Sequence, residues 1–300
     1  MSQQENFHWE HPSTYVVQDR SNEEELARLQ IQDHMLTVGM GGVLPEQPDP
    51  SVFQRVLDVG CGTGGWLIET AKTYPGMSLL IGIDVSTRML DYARRQAEAN
   101  GVSDRVEFHQ MDALRMLEFP TSFFDLVNHR SAQSWLRTWD WYKLLQEYQR
   151  VCRPEGVIRI TEVDFAVEST SSAVNQLNHL FVRAFHQAGH YFTPQGDGIT
   201  SQIARLLQQH GVLDVQTRAC MLEQRTGTPE GQSFYDDMRL VYRTAVPFLQ
   251  KWIRLPDDYQ EIYQQALSDM QQPGFVGKIG LLTAWGKVPA RQENLTDSPR

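Results

Sequence analysis

Val56-Leu57-Asp58-Val59-Gly60-Cys61-Gly62-Thr63-Gly64-Gly65-Trp66 decides the fold of this chain. An apolar run ends in an acidic residue, glycine then recurs at every second position, and a helical pattern follows. This reads as a strand, a tight glycine turn and a helix N-terminus. Glycines without Cβ atoms let backbone N–H groups come close to a ligand there. Gly60, Gly62 and Gly65 also spell G-x-G-x-x-G, the dinucleotide fingerprint, which on its own is weak evidence. Asp58 argues against that reading: a carboxylate at the strand end repels a pyrophosphate but can accept hydrogen bonds from an ammonium group.

Outward from this turn, strand and helix alternate. Strands are predicted over Arg55–Val59, Leu79–Asp84, Val106–Gln110, Phe124–Asn128 and Val157–Val163. A helix follows the glycine turn from Gly64 to Tyr74. Ser86 caps a second, with Met89, Leu90, Ala93 and Ala97 on its apolar side. Trp141, Leu144, Leu145, Tyr148, Val151 and Cys152 mark a third, ended by a turn at Arg153-Pro154-Glu155-Gly156. Such alternation predicts a parallel sheet with helices on both faces. Upstream, Ser21 or Asn22 can cap a helix starting at Glu23, ended by Gly39, Gly41, Gly42 and the PEQPDP linker.

Beyond Val163 the rhythm is interrupted twice. One helix is expected within 165–198, and another over Ile199–Gln209 that stops at Gly211 before a strand over Val212–Leu222. Two amphipathic helices are expected within 229–275, then a last strand over Ile279–Lys287. The domain reading is an arm and helix over 1–50, a ligand-binding α/β core over 51–164 and a cap insertion over 165–198. Core then resumes over 199–228, a second helical cap insertion fills 229–275, the last strand occupies 276–289, and 290–300 is a disordered tail.

The motif and the element order resemble the class I S-adenosylmethionine (SAM) methyltransferases, in particular those acting on small molecules. The resemblance implies a Rossmann-like, seven-stranded, mostly parallel sheet with an antiparallel last strand, plus a helical cap. It implies SAM as cofactor and S-adenosylhomocysteine as product. Gly60, Cys61, Gly62 and Gly64 would wrap the methionine part, with Asp58 on its ammonium and Asn128 nearby. Cys61 is otherwise a small residue filling a tight turn. Asp84, twenty residues after Gly64, would accept the ribose hydroxyls. Val85 and Met89 would wall the adenosine, although Met89 also suits core packing. Asp112 would read the adenine amino group, with Met111 and Ala113 beside the ring; a turn residue is the other reading of Asp112. Tyr15 would close over the sulfonium or stay at the surface.

Chemistry is expected at the carboxyl edge of the sheet. His129 and His190 are the candidate bases, since an imidazole titrates near neutrality. Arg130, His186, Tyr191 and Trp135 are candidate substrate contacts; Arg130 could equally hold the SAM carboxylate or its own loop. The aromatic residues after 165 suit cap packing and an apolar acceptor pocket.

Composition narrows the partners. The chain has 300 residues and a net charge of −10, with no long basic run, which argues against a nucleic-acid substrate. The absence of an Asn/Asp-Pro-Pro-Tyr/Phe sequence after the fourth strand argues the same way. No apolar run approaches the roughly 20 residues that span a bilayer, and the polar start lacks a signal-peptide core, so no membrane partner is expected. Three widely spaced cysteines suit a reducing compartment, hence a cytoplasmic protein, and no metal-ligand spacing occurs. The expectation is a SAM-dependent methyltransferase acting on an O, N or C nucleophile of a small apolar or aromatic metabolite. The cap faces offer surfaces for a homodimer. The alternatives are a nicotinamide oxidoreductase, for which Tyr142-Lys143 lacks the Tyr-x-x-x-Lys spacing, and a SAM-binding regulator without catalysis.

Overall fold

The computed structural model describes residues 15–16, 23–164 and 168–290. The Ser21 or Asn22 cap and the tail over 291–300 lie outside the described residues.

The strand read from Arg55–Val59 is β1, paired in parallel with β2 (Leu79–Asp84) and β4 (Phe124–Arg130). β3 (Val106–Gln110) extends the sheet beyond β2, and β5 (Cys152–Val163) lies beyond β4, both parallel. β8 (Val276–Lys287) runs antiparallel between β5 and β7 (Leu213–Arg225), and a two-residue β6 (Glu168–Ser169) also pairs with β8. Among the described residues the sheet therefore has eight strands, the two-residue β6 being added to the seven expected, in the order 3-2-1-4-5-8-6, with β7 on β8.

Strand alternation sorts side chains to two cores. Val56, Leu80, Leu126 and Val157 pack with Trp66, Leu67 and Ala71 of α2 (Gly65–Thr73) and Leu90, Ala93 and Ala97 of α3 (Thr87–Ala99). Leu57, Ile81, Val127 and Ile158 face the opposite way, toward Trp141, Leu144 and Tyr148 of α4 (Trp141–Val151). α1 (Glu23–Gly39) packs on α2 and on α7 (Pro229–Thr244). α5 (Ser172–Gln187) packs on α8 (Val246–Trp252) and α9 (Tyr259–Met270), and α6 (Thr200–Gln209) lies on β7 and β8.

Two local expectations are corrected. The turn read at Arg153–Gly156 is an irregularity inside β5: the register jumps from Phe124↔Cys152 to Leu126↔Val157, with Glu155 left-handed at φ 61. Asp125 stabilises this corner by accepting N–H bonds from Gln54 (2.8 Å) and Arg55 (2.7 Å) and one from Arg153 Nε (2.5 Å). The 229–275 segment holds three helices, because Pro247 starts α8 in its first turn instead of breaking the chain.

Gly64 is the tightest joint. It caps α2 at φ 74, and a Cβ there would stand 2.7 Å from Phe108 Cζ and 2.9 Å from Ala93 Cβ. Left-handed backbone and overpacking add, so Gly64→Ala is expected to cost about 2–4 kcal/mol in urea unfolding. A variant as stable as the parent would remove this joint from the account of the fold.

Candidate active site

The glycine turn lies at the carboxyl edge of β1 and β2. The N–H groups of Gly60 and Cys61 donate to the Ile83 carbonyl (2.8 and 2.9 Å), and that of Gly64 to the Cys61 carbonyl (2.9 Å). Gly60, Gly62 and Gly64 all take positive φ (69°, 53° and 74°), so the alternate glycines are a backbone requirement. At Gly62 a Cβ would meet no protein atom within 4 Å, whereas at Gly60 it would stand 3.3 Å from Trp135 Nε1. The loop is open at its centre and roofed by Trp135 at its start.

Two carboxylates flank it. Asp84 Oδ2 accepts the Gly62 N–H (3.1 Å) and Oδ1 the Ser86 N–H (2.8 Å), tying the turn to the start of α3. Asp58 is buried and accepts from Asn128 Nδ2 at 2.7 Å. Burial raises its carboxyl to about 7, against the lowering effect of the Asn128 bond and the Arg159 charge. Cys61 packs its sulfur over Gly82, where a Cβ would come within 2.8 Å, and burial pushes its thiol well up. It is therefore not set up as a thiolate nucleophile.

Among the residues expected to wall the adenosine, Val85 follows Asp84 and its carbonyl receives Gln110 Nε2 at 3.2 Å. Met89 is buried, as in the core-packing alternative, and its N–H meets Ser86 Oγ at 3.4 Å. The Met111 N–H donates to the Asp84 carbonyl (3.0 Å), and Ala113 is buried. Asp112 Oδ1 accepts the Leu114 N–H at 2.9 Å, the turn geometry of the second reading; the same carboxylate stands 3.5 Å from Arg115.

The arm and α1 close this edge. Val16 N–H donates to the Ser134 carbonyl (3.0 Å). The Tyr15 hydroxyl donates to Glu25 (2.6 Å), and burial, then Glu25, pushes its pKa far up, with Asp84 adding a smaller push. Arg130 pairs with Asp33 and donates to Thr37 Oγ1 (2.9 Å), both on α1; burial and the Arg159 charge lower it to about 9, so it stays cationic at neutrality. Asp33 also occupies the space that a side chain at Gly65 would need.

The histidines do not share one place. His129 is fully buried on the α4 side, with Nε2 2.7 Å from Glu162 Oε1, Nδ1 3.0 Å from the Tyr148 hydroxyl, and its ring stacked on Trp141 at 5.4 Å. Burial, then the charges of Asp58 and Glu162, holds the Tyr148 phenol protonated, so it donates to Nδ1 and leaves Nε2 to donate to the carboxylate. With both nitrogens engaged, His129 does not fit the role of base expected from its position. His190 is buried between the Phe185 and Phe248 rings, at 5.6 and 5.9 Å. Among the described residues its ring nitrogens meet no partner at full hydrogen-bond geometry; burial, then the Arg137 charge, lowers it to about 4, against a weaker upward pull from the nearby Leu136 and Gln133 backbone. Tyr191 stacks on Phe185 at 5.3 Å and donates to Gln133 Oε1 at 3.3 Å. His186 is exposed on the last turn of α5, apart from this group.

Sequence reasoning missed four residues at this edge. Glu162 holds the loop after β4 through the N–H groups of Ala132 (3.0 Å) and Gln133 (3.2 Å). Its signal was available, as a carboxylate inside the apolar strand Ile158–Val163. Arg159, a charge inside the same strand, offers the same signal, whereas Asp33 and Glu46 carry none, because their partners lie far along the chain. Among the described residues, no group of three or more His, Cys, Asp or Glu could hold a metal ion, and no helix is long and apolar enough to cross a membrane.

Residues 56–156 match the family model described as methyltransferase domain. The chain is 30% identical over 171 residues to geranyl diphosphate 2-C-methyltransferase of Saccharopolyspora erythraea, covering 56% of this chain and 55% of the relative. It is 37% identical over 109 residues to demethylmenaquinone methyltransferase of Thermus thermophilus, covering 36% and 47%. It is 31% identical over 134 residues to 27-O-demethylrifamycin SV methyltransferase of Amycolatopsis mediterranei, covering 45% and 46%. The chain spans about half the length of these curated relatives.

Proposed function

We propose that this chain is a class I SAM-dependent methyltransferase that transfers a methyl group from SAM to a small, apolar or aromatic metabolite, a reading supported by the match of residues 56–156 to the methyltransferase-domain model and by the likeness to geranyl diphosphate 2-C-methyltransferase. The observation that carries the proposal is the open glycine cradle at Gly62 between two differently placed carboxylates, Asp58 and Asp84. Bound SAM supplies an electrophilic sulfonium methyl. Asp58, beneath the turn, suits the ammonium of the methionine part. Asp84 already orders the turn, and its two oxygens suit the ribose hydroxyls. Val85, Met89, Met111, Asp112 and Ala113 would bound the adenine, and Tyr15 would close the sulfonium end.

The acceptor compartment would lie between the loop after β4 and the cap formed by α5 and α7–α9. Phe185, Tyr191 and Phe248, packed closed in this structure, would give it an apolar wall when the cap admits an acceptor, which favours a neutral acceptor meeting a cationic donor. His190 is neutral at physiological pH, so a ring nitrogen can accept a hydrogen bond from an acceptor hydroxyl or amine. His129 takes a positioning part: it fixes Glu162, which fixes Ala132 and Gln133. Arg130 would serve the closing of α1 over the site rather than the acceptor. The relatives' names include both C- and O-methylation, and an O or N nucleophile is the better match to His190.

Calorimetric titration of the chain with SAM, S-adenosylhomocysteine and NAD(H), followed by an acceptor screen with methyl-labelled SAM, tests the reading. Binding of SAM and its product with label transfer to an aromatic or apolar acceptor is the expected result. SAM binding without transfer to any acceptor would favour the regulatory alternative, and binding of NAD(H) alone would overturn the methyltransferase reading.

A further inference from the structure

Asp58, Asn128 and Arg159 stand directly opposite one another on three adjacent strands. Asp58 pairs with Asn128 across β1–β4, and Asn128 with Arg159 across β4–β5. Each lies two residues beyond Val56, Leu126 or Val157, so all three side chains project to the α2 face of the sheet. The Arg159 guanidinium lies 5.9 Å from the Trp66 ring centre on α2. All three are almost sealed from solvent.

The row is bonded from end to end. Arg159 donates through Nε (2.8 Å) and Nη2 (3.2 Å) to Glu46 of the linker before β1, and through Nη1 (2.8 Å) to Asn128 Oδ1. Asn128 Nδ2 then donates to Asp58 Oδ1 at 2.7 Å. A buried ion pair seldom adds stability over well-packed apolar residues, so stability alone does not account for the row. Its polarity does. A guanidinium only donates, so the Asn128 amide must turn its oxygen to Arg159 and its NH2 to Asp58. An NH2 group favours the ionised carboxylate. An amide turned the other way would accept from the protonated acid and favour that form instead.

We propose that Glu46 and Arg159 are positioning residues: by fixing the Asn128 amide they tune the protonation of Asp58, and through it the strength and pH dependence with which the site holds SAM. This rests on the reading that Asp58 receives the ammonium of SAM. The other titratable groups that sense Asp58 are Asp84, across the glycine turn, the Cys61 thiol and the Tyr148 hydroxyl of α4; the last two stay protonated. Burial, and more weakly Asp84, drives Asp58 toward its neutral form. Asn128 and Arg159 oppose this and leave the group titrating near neutrality. An ammonium ligand selects the carboxylate, so binding expels the Asp58 proton to solvent wherever the free protein holds it. Affinity therefore rises with pH until Asp58 is ionised in the free protein, and falls again where the ligand's own α-ammonium loses its proton; the midpoint that reports Asp58 is that of the rising limb.

The test is calorimetric titration of the full chain with SAM from about two units below neutrality to about two above, in two buffers of different ionisation heat, so that released protons are counted. The parent is expected to release part of a proton near neutrality. In Arg159→Met the affinity midpoint should move up by about one pH unit or more, since a cation is lost and the amide is free to turn. In Glu46→Gln it should move down, since Arg159 then acts on Asp58 without its counter-charge. A role in packing alone would weaken binding without moving the midpoint. Midpoints that stay put, or that move the same way in both variants, overturn the proposal. If Arg159→Met does not fold, Glu46→Gln decides by the direction of its shift. A parent chain that binds no SAM at any pH overturns instead the functional reading on which the proposal rests.

Discussion

Asp84→Ala is expected to lower SAM affinity by about 100-fold or more, because in the proposed site it would remove charge-assisted acceptors for two ribose hydroxyls, each worth about 1.5–3 kcal/mol. The carboxylate does more than wait for a ligand. It holds the Gly62 and Ser86 N–H groups, so it shapes the turn and the start of α3 before anything binds. Alanine therefore disorganises the cradle as well as losing the contact. Asp84→Asn separates the two parts. It keeps one carbonyl oxygen for the backbone N–H groups but brings an NH2 into a place that needs an acceptor, so an intermediate loss of about tenfold is expected. Calorimetry gives both affinities, and urea unfolding without ligand shows that the alanine variant is still folded. An alanine variant within about threefold of the parent would place the ribose elsewhere.

The cradle was legible because every part of its signal is local. A strand, alternate glycines, a helix and a second strand ending in Asp84 lie within thirty residues of Val56, and each glycine is forced by its own backbone. The parallel sheet followed from alternation, since parallel strands need crossover helices; its strand order did not. The short elements were not legible. β6 has two residues, below any periodicity, and α8 begins with a proline that reads as a break. His129 was misread for a different reason. Its position at the strand end is right, but alternation turns Asn128 to the α2 face and His129 to the α4 face, where Tyr148, Trp141 and Glu162 enclose it. Counting in twos from Asp58 and Val56 would have separated them only once the β1–β4 register was known. The Asp58–Asn128–Arg159 row is legible only in that register.

The least legible feature is the one expected to matter most for stability. Glu25, Arg28 and Asp237 form a buried ionic cluster joining α1 to α7, and Arg28 and Asp237 are 209 residues apart in sequence. Arg28 reaches Glu25 with Nε (2.7 Å) and Nη2 (2.8 Å) and Asp237 with Nη1 (3.0 Å), while Tyr15 adds a hydrogen bond to Glu25 (2.6 Å). Arg28→Ala leaves two buried carboxylates without a cation, and the expected loss is about 3–5 kcal/mol in urea unfolding near neutral pH. Burial already raises the Asp237 carboxyl despite Arg28, and removing the guanidinium raises it further. A carboxyl raised in the folded state binds more protons folded than unfolded. The variant should therefore be weakest at high pH and regain stability as pH falls through that raised value, the opposite of ordinary acid denaturation. Replacing Glu25, Arg28 and Asp237 together by Leu, Met and Leu should recover most of the loss, since no charge is then left buried. A loss in Arg28→Ala that is small, or that does not shrink on acidification, would mean that water reaches the cluster. α1 also carries Asp33 and Thr37 to Arg130. A weakened cluster should then loosen the closure over the glycine turn, so SAM affinity in Arg28→Ala falls even where the chain remains folded.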